Sequence, residues 1–293
     1  MVVLVTGAGG QLGQSIQFIA KNYPSIDFVF CNSQDLDITK KEVVQTVFNK
    51  IKPDFCINAA AYTAVDKAEI ETEKAHLINV IGAQNLAEVC KAFRTILIHV
   101  STDFVFDGSA IALGKPRGYT EEDNTNPQSV YGQTKLDGEK AIQAVFNDYF
   151  IIRTAWVFSQ FANNFMKTMI RLGNERESVS VVNDQIGTPT NAVDLAEAIL
   201  TIICQTEQSQ RTKSLIPFGI YNFTNEGSCS WYDFAQKIFE INKITIDLKP
   251  IPTTNFPTPA QRPKYSVLDK SKIKKVFGIE IRAWEETILS EEI

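Results

Sequence analysis

A glycine-rich segment directly after the first apolar run constrains this chain more than any other feature. Val2–Val5 is predicted to be a buried strand, and Gly7-Ala8-Gly9-Gly10-Gln11-Leu12-Gly13 then leads into a helix over residues 11–22. Glycines at this spacing allow a tight turn, close approach of a pyrophosphate to the backbone, and close packing of the helix on the strand. The N–H groups at the start of the helix can bind the anion. No Gly-Lys-Ser/Thr follows, so we predict a dinucleotide site rather than a P-loop, formed by Gly7, Gly10, Gln11, Leu12 and Gly13.

The alternation of apolar runs with amphipathic segments continues through the first half of the chain. Further strands are predicted at 28–30, 55–57, 95–100 and 149–153, and helices at 40–50, 72–92 and 129–146. Strands that alternate with helices form βαβ units and a mostly parallel sheet. We therefore predict an α/β fold in which residues 1–155 form a Rossmann-type, doubly wound parallel sheet that binds NAD(P).

The pattern loosens after about residue 155. Prolines and polar turns are frequent at 183–190 and 250–263, and helices are predicted at 163–172, 192–204 and 230–242. Residues 156–293 are accordingly predicted to form mainly a smaller, interleaved substrate-binding region, with some segments returning to the core.

Charge, hydropathy and cysteine usage exclude several classes of protein. A net charge of −5 argues against nucleic-acid binding, which requires a basic surface. No apolar run approaches 18 residues, so no membrane span is expected. The five cysteines are scattered and no signal peptide is recognisable, which favours free thiols in the cytoplasm. With only His76 and His99 and no clustered cysteines, no metal site is predicted.

Polar and small residues follow two of the predicted strands. Because ligands of open α/β sheets bind at the carboxyl ends of the strands, we expect Ala60, Ala61 and Tyr62 beside the cofactor, and Thr102 and Asp103 where the chemistry occurs. His99 and Ser101 share a face of the fourth strand. No G-x-S-x-G elbow accompanies them, so His99 is predicted to make a structural hydrogen bond.

The end of the second predicted strand bears on the choice of cofactor. An NAD site often carries an acid there, but this chain has Cys31-Asn32-Ser33 and lacks an arginine to mark a 2′-phosphate pocket. NADPH is therefore favoured, with NADH as the alternative. Asp37 and Ile38 are predicted to flank the adenine, although Asp37 is equally suited to cap the helix that follows.

Tyr131 and Lys135 lie four residues apart on a predicted helix and therefore share a face. A nearby cation favours the phenolate and lowers the pKa of a tyrosine. The pair is thus a candidate acid/base for the reduction of a carbonyl group.

The order of these motifs resembles the extended short-chain dehydrogenase/reductases. Within that superfamily, longer segments resemble the dTDP-4-dehydrorhamnose reductase family: residues 10–13, 58–69, 101–108, 153–158, 184–190, 230–235 and 262–263. Phe104 and Phe158 stand where members of the family often have tyrosine, and Lys115–Gly118 lengthens the loop before Tyr131.

The resemblance implies a reaction and a role for each site residue. Hydride transfer from NAD(P)H would reduce the C4 ketone of a nucleotide sugar, dTDP-4-dehydrorhamnose, to dTDP-L-rhamnose. Tyr131 would donate the proton. Lys135 would lower the Tyr131 pKa and bind the nicotinamide ribose, and Thr102 would hold the carbonyl oxygen. Asp103 and Trp156 would contact the substrate.

Three alternatives stay open. The chain is also compatible with another sugar-nucleotide epimerase or dehydratase, although Ser101-Thr102-Asp103 resembles the reductase pattern more closely. It resembles, too, the non-catalytic regulatory subunit of methionine adenosyltransferase. A homodimer, with Mg²⁺ at its interface, is a third option that the resemblance raises, and no ligands for that ion are assigned.

Overall fold

The computed structural model describes residues 1–109 and 118–288. The loop extension predicted at Lys115–Gly118 lies, apart from Gly118, outside the described residues. Among the residues that are described, no helix combines the length and the apolar character that crossing a membrane requires.

A six-stranded sheet forms the centre of the molecule. The described strands are β1 Val2–Thr6, β2 Asp27–Cys31, β3 Phe55–Asn58, β4 Ile96–Thr102, β5 Tyr149–Thr154, β6 Val157–Phe158, β7 Ser178–Val182, β8 Ile186–Gly187, β9 Thr190–Asn191, β10 Gly219–Asn222, β11 Cys229–Ser230 and β12 Asp247–Ile251. The central sheet has the order β10-β5-β4-β3-β1-β2, and each of its pairings is parallel. The order reverses between β1 and β3, which makes the carboxyl ends of these two strands the expected ligand crevice.

Helices cover both faces of the sheet. They are α1 Gln11–Ile19, α2 Lys41–Ile51, α3 Val65–Ala68, α4 Thr72–His76, α5 Gly82–Phe93, α6 Val130–Val145, α7 Phe165–Glu175, α8 Ala192–Thr212, α9 Trp231–Ile241 and α10 Ser271–Phe277. Short 3₁₀ segments occur at Ala20–Asn22, Asp103–Val105, Thr253–Asn255 and Trp284–Thr287.

Alternate residues of each central strand enter different cores, which explains the continuous apolar runs of the sequence. Val3 and Val5 pack with Ile199 of α8 on one face. Leu4 packs with Val44 of α2 and Leu86 of α5 on the other. The predicted doubly wound sheet with both faces covered is therefore confirmed.

The predicted helix over 72–92 differs from the structure in its middle. A π-helical turn at Leu77–Ile81 joins α4 to α5. In this turn the Asn79 side chain accepts from the Tyr62 N–H at 2.8 Å and donates to the Tyr62 carbonyl at 3.1 Å and to Thr134 Oγ1 at 3.1 Å. Asn79 thus ties the loop after β3 to α6, and π turns of this kind are frequent at functional sites.

Segments beyond residue 155 contribute to the central fold. Strand β10, which was not among the predicted strands, extends the sheet beside β5, and α8 packs against α1. The remaining later elements enclose a separate apolar cluster that includes Phe158, Phe234 and Trp284. Strand β10 and helix α8 thus lie within the central fold, and a cleft separates the later apolar cluster from the sheet.

Candidate active site

A cavity of about 600 Å³ lies at the carboxyl ends of the central strands, between the sheet and the later region. Many of the predicted site residues line it: Gly10, Gln11, Leu12, Ala61, Thr102, Asp103, Tyr131, Lys135 and Trp156. One cleft therefore brings together the glycine turn, the end of β4 and the start of α6.

Two of the predicted glycines shape the turn instead of lining the cleft. Gly7 has φ +66°, and a Cβ there would lie 2.6 Å from the backbone of Ala59 and Ala60. A Cβ on Gly13 would lie 2.5 Å from the Gly7 carbonyl oxygen. Both contacts are shorter than any side chain allows, so the turn, the end of β3 and α1 can approach this closely only with glycine at both positions.

The start of α1 fits an anionic group. Its N-cap, Gly10, provides no side-chain cap, and its first turn contains no acidic residue. A Cβ placed on Gly9 would meet open space. Backbone N–H groups at such a helix end attract a phosphate, so the residues present suit a dinucleotide pyrophosphate.

Four of the residues predicted to bind the cofactor do not line the cavity: Asp37, Ile38, Ala60 and Tyr62. Ala60 packs beside the core cluster around Leu4. The Tyr62 ring packs with Ala68 and Ala75, with the Lys74 ammonium 5.7 Å from its centroid.

Asp37 and Ile38 have local partners. Asp37 Oδ1 accepts hydrogen bonds from the Thr39 N–H at 3.0 Å and the Thr39 hydroxyl at 2.7 Å. These bonds to Thr39 lower the pKa of Asp37. Ile38 is buried against Gly82. The alternative role weighed for Asp37, capping of the next helix, is wrong, because the N-cap of α2 is Lys40 and Asp37 bonds Thr39 in the turn before it. Contact of Asp37 or Ile38 with adenine stays a prediction.

Close packing of α6 on the segment after β4 positions Tyr131. The N-cap Ser129 accepts from the Gly132 N–H at 3.1 Å. A Cβ on Gly132 would lie only 2.3 Å from the Phe104 carbonyl oxygen, so the helix approaches this backbone as closely as glycine permits. The Phe104 ring meets the Tyr131 ring edge-on at 5.6 Å, and the Tyr131 hydroxyl lies beside that of Thr102.

Thr102 links this hydroxyl to a buried carboxylate. Its Oγ1 donates to Asp103 Oδ1 at 3.0 Å and accepts from the Phe104 N–H at 3.2 Å. Asp103 is only 1% exposed. Burial raises the pKa of Asp103 to about 6, against hydrogen bonds from Ser266 and Thr102 that lower it.

The Tyr131 pKa differs from the sequence-based expectation. Burial, together with the Asp103 carboxylate, raises the pKa of Tyr131 to about 12, while the neighbouring Thr102 hydroxyl opposes the shift. The expected lowering by Lys135 is therefore wrong for this structure, because loss of solvation outweighs it. Tyr131 is consequently a protonated phenol at neutral pH, as a proton donor must be.

Two residues of β4 position the Lys135 ammonium group. Its Nζ donates to the Val100 carbonyl at 2.7 Å and lies 3.2 Å from His99 Nε2. His99 Nδ1 lies 3.0 Å from the Asn58 side-chain nitrogen, so the structural hydrogen bond predicted for His99 is present. Burial lowers the pKa of Lys135 to about 8, and the Glu139 carboxylate opposes that shift.

A buried ion pair below the cleft is not among the predicted site residues. Glu139 lies one turn after Lys135 on α6 and forms two bonds with Arg153 of β5, Nε to Oε1 at 3.0 Å and Nη2 to Oε2 at 2.7 Å. The Ser101 hydroxyl also donates to Glu139. The signal available in the sequence was the i, i+4 spacing of Lys135 and Glu139 on one helical face.

Trp156 is fixed by two neighbours from the later region. Its φ is +45°, in the left-handed region that non-glycine residues rarely adopt. Its ring stacks on Trp231 with the centroids 3.6 Å apart and an angle of 11°. A Cβ on Gly187 would lie 2.6 Å from the Trp156 indole. Trp231 lines the cleft as well, so an aromatic pair forms one wall.

An ion pair joins the two sides of the cleft at its rim. Arg262, which lines the cavity, bonds Asp66 through Nη1 to Oδ1 at 2.9 Å and Nη2 to Oδ2 at 2.7 Å. Asp66 belongs to α3, whereas Arg262 lies in the loop after β12. Within residues 1–109 and 118–288, no group of three or more His, Cys, Asp or Glu side chains is arranged to hold a metal ion.

Comparisons with known proteins agree with this geometry. The model of the family described as RmlD substrate binding domain matches residues 1–291. The chain is 39% identical over 292 residues to a dTDP-4-dehydrorhamnose reductase of Aggregatibacter actinomycetemcomitans, covering 98% of this chain and 96% of the relative.

Two solved structures are similar over the same extent. A dTDP-4-dehydrorhamnose reductase of Bacillus anthracis in complex with NADP has a TM-score of 0.90 and 40% identity. The corresponding protein of Clostridium acetobutylicum has a TM-score of 0.88 and 42% identity. Each comparison covers 98% of this chain and 96% of the other.

Proposed function

Because the chain belongs to the RmlD substrate binding domain family and is an NAD(P)H-dependent oxidoreductase of the dTDP-4-dehydrorhamnose reductase type, we propose that it reduces the C4 ketone of dTDP-4-dehydrorhamnose to form dTDP-L-rhamnose. The observation that carries this proposal is that Tyr131, Lys135 and Thr102 line one cleft. Lys135 lies one turn along the same helix, and the glycine turn lines the same cavity.

NADPH is the cofactor we propose for this cleft. The similar protein of Bacillus anthracis was solved in complex with NADP. The uncapped start of α1 at Gly10 is suited to the pyrophosphate. The cofactor supplies the hydride for C4, and the alternative cofactor, NADH, would use the same turn.

Tyr131 acts as the general acid in this proposal. Its pKa of about 12 keeps the phenol protonated at neutral pH, and the substrate oxygen takes that proton as it becomes an alkoxide. The Thr102 hydroxyl holds the phenol in line with this oxygen. Lys135, as an ammonium ion, stabilises the phenolate that remains after proton transfer. Positioning and charge stabilisation together lower the barrier.

Asp103 and Trp156 are the residues we propose for substrate contact. A carboxylate accepts hydrogen bonds from sugar hydroxyls, and Asp103 lines the cavity beside Thr102. An aromatic surface packs against a sugar or a base, which suits the wall formed by Trp156 and Trp231. The same two residues would set the orientation of C4 towards Tyr131.

A substrate comparison tests the proposed function. The purified protein is incubated with NADPH and either dTDP-4-dehydrorhamnose or dTDP-glucose, and NADPH absorbance is followed while products are identified by mass spectrometry. We expect NADPH oxidation and dTDP-L-rhamnose only with the keto-sugar. Conversion of dTDP-glucose to a keto-sugar without net NADPH oxidation would instead establish a dehydratase. No turnover of either substrate by folded, NADPH-binding protein would favour the non-catalytic alternative.

A further inference from the structure

The side chain of Gln11 connects the glycine turn to the substrate side of the cleft. Gln11 is the first residue of α1. Its Nε2 donates to the Val157 carbonyl at 3.1 Å. Its Oε1 accepts from the Ser159 hydroxyl at 3.1 Å and from Asn164 Nδ2 at 3.0 Å. The amide is therefore bonded to residues 146 to 153 positions away. These bonds use both lone pairs of Oε1 and one of the two N–H donors of Nε2.

The segment that Gln11 contacts, Trp156–Asn164, is here called the arm. Trp156 and Ala162 have φ +45° and +52°, a conformation that persists only where the surroundings enforce it. Asn164 Nδ2 also donates to the Ser159 carbonyl at 2.7 Å, and Asn164 Oδ1 caps α7 through the Lys167 N–H. The contacts of Gln11 at Val157, Ser159 and Asn164 thus fasten the strained arm to the sheet domain.

We propose that Gln11 is a positioning residue whose side chain orients Trp156 for the substrate, while its backbone alone serves the cofactor. The bond to the Val157 carbonyl is adjacent to Trp156. Loss of this bond frees the residue that carries the aromatic wall. The inference rests on the proposed function, since it takes Trp156 as a contact of the nucleotide sugar.

Gln14 provides a matched contrast on the same helix. Its Nε2 donates to the Gly9 carbonyl at 2.8 Å. This bond stays within the glycine turn, and no described contact joins Gln14 to the arm. Removal of the Gln14 amide perturbs the cofactor turn, whereas removal of the Gln11 amide perturbs the substrate wall.

The test compares Gln11→Ala with Gln14→Ala in three measurements. These are the Kd for NADPH by calorimetry, the KM and kcat for the keto-sugar, and the near-UV circular dichroism of the stacked Trp156–Trp231 pair. Gln11→Ala is expected to change the NADPH Kd by about twofold or less and to raise the sugar KM on the order of tenfold, the effect of about one net hydrogen bond. The tryptophan signal should weaken in Gln11→Ala and persist in Gln14→Ala.

Opposite results would overturn the proposal. A NADPH Kd raised tenfold by Gln11→Ala, with the sugar KM and the tryptophan signal unchanged, assigns the side chain to the cofactor. The Ser159 hydroxyl also bonds the Phe161 backbone, so the double variant Gln11→Ala/Ser159→Ala should lose less than the sum of the two single variants. Strictly additive losses would mean that the two side chains do not act together. If Gln11→Ala fails to fold, Gln11→Glu keeps both acceptor contacts and removes only the donor to the Val157 carbonyl, so it should still raise the sugar KM. The binding and dichroism results remain decisive even if the wild type does not reduce the keto-sugar.

Discussion

The buried pair of Glu139 and Arg153 leads to a quantitative prediction about stability. Their side chains are 1% and 3% exposed and meet through two parallel hydrogen bonds. Two charges 2.7 Å apart attract by about 6 kcal/mol at an effective dielectric constant of about 20. The cost of removing both ions from water offsets much of this attraction. Loss of one partner leaves that cost unopposed, so Glu139→Gln should lower the free energy of unfolding by about 3–5 kcal/mol.

An exposed ion pair with the same separation serves as the control. Arg171 and Glu175 are also 2.7 Å apart, but their side chains are 58% and 54% exposed. Glu175→Gln should therefore change the free energy of unfolding by about 1 kcal/mol or less. Urea denaturation followed by circular dichroism measures both variants.

Two outcomes would refute this reasoning about the buried pair. One is a loss in Glu139→Gln no larger than that in Glu175→Gln. The other concerns Glu139→Gln/Arg153→Met, which also removes the Arg153 charge that Glu139→Gln leaves unpaired, so much of the lost stability should return. A double variant as unstable as the sum of its single variants would show that desolvation of Arg153 is not the cause.

Two further predictions concern Asp103 and Gly132. Because the folded pKa of Asp103, about 6, lies above the ordinary aspartate value of 3.8, its carboxyl group stabilises the fold at low pH and loses that effect as pH rises through 6. Asp103→Asn should thus gain about 3 kcal/mol of stability relative to wild type between about pH 4 and pH 7, and urea unfolding that shows a pH-independent difference would contradict this. Gly132→Ala places a Cβ against the Phe104 carbonyl oxygen. We expect the free energy of unfolding to fall by about 1–3 kcal/mol and kcat to decrease because Tyr131 shifts. An unchanged kcat would argue against the close approach of α6 to this backbone.

Much of the sheet domain could be predicted because its signals are local. Strands β1 and β3 are apolar up to their last residue, and β4 begins with the apolar run Ile96–Ile98. The glycine turn fixes where α1 begins. Strand β10 lacked such a signal, since Gly219–Asn222 begins with glycine and contains only two apolar residues, Ile220 and Tyr221. Its strand conformation depends on pairing with β5, and that partner is distant in the sequence.

The π turn escaped prediction for a similar reason. Leu77–Ile81 carries the apolar residues of an ordinary helix. What distinguishes it is the fit of Asn79 between the Tyr62 backbone and Thr134, which only the folded structure reveals.

At the site, residue identities were predictable and their electrostatics were not. The spacing of Tyr131 and Lys135, together with the position of Thr102 at a strand end, was enough to predict that the three residues lie in one cleft, and they do. The direction of the Tyr131 pKa shift depends on how much solvent the cleft excludes, which no local spacing encodes. The partners of the Gln11 amide are equally remote in the sequence, so its side chain was attributed to the cofactor together with the rest of the glycine turn.

The rate of NADPH oxidation by Tyr131→Phe with dTDP-4-dehydrorhamnose tests the central claim most directly. The substitution removes only the hydroxyl that contacts Thr102, so the variant should fold and bind NADPH with unchanged affinity. General acid catalysis contributes about 10²- to 10⁴-fold, and we predict that kcat falls by that factor relative to wild type. A Tyr131→Phe protein that reduces the keto-sugar at the wild-type rate would contradict the assignment of Tyr131 as the proton donor.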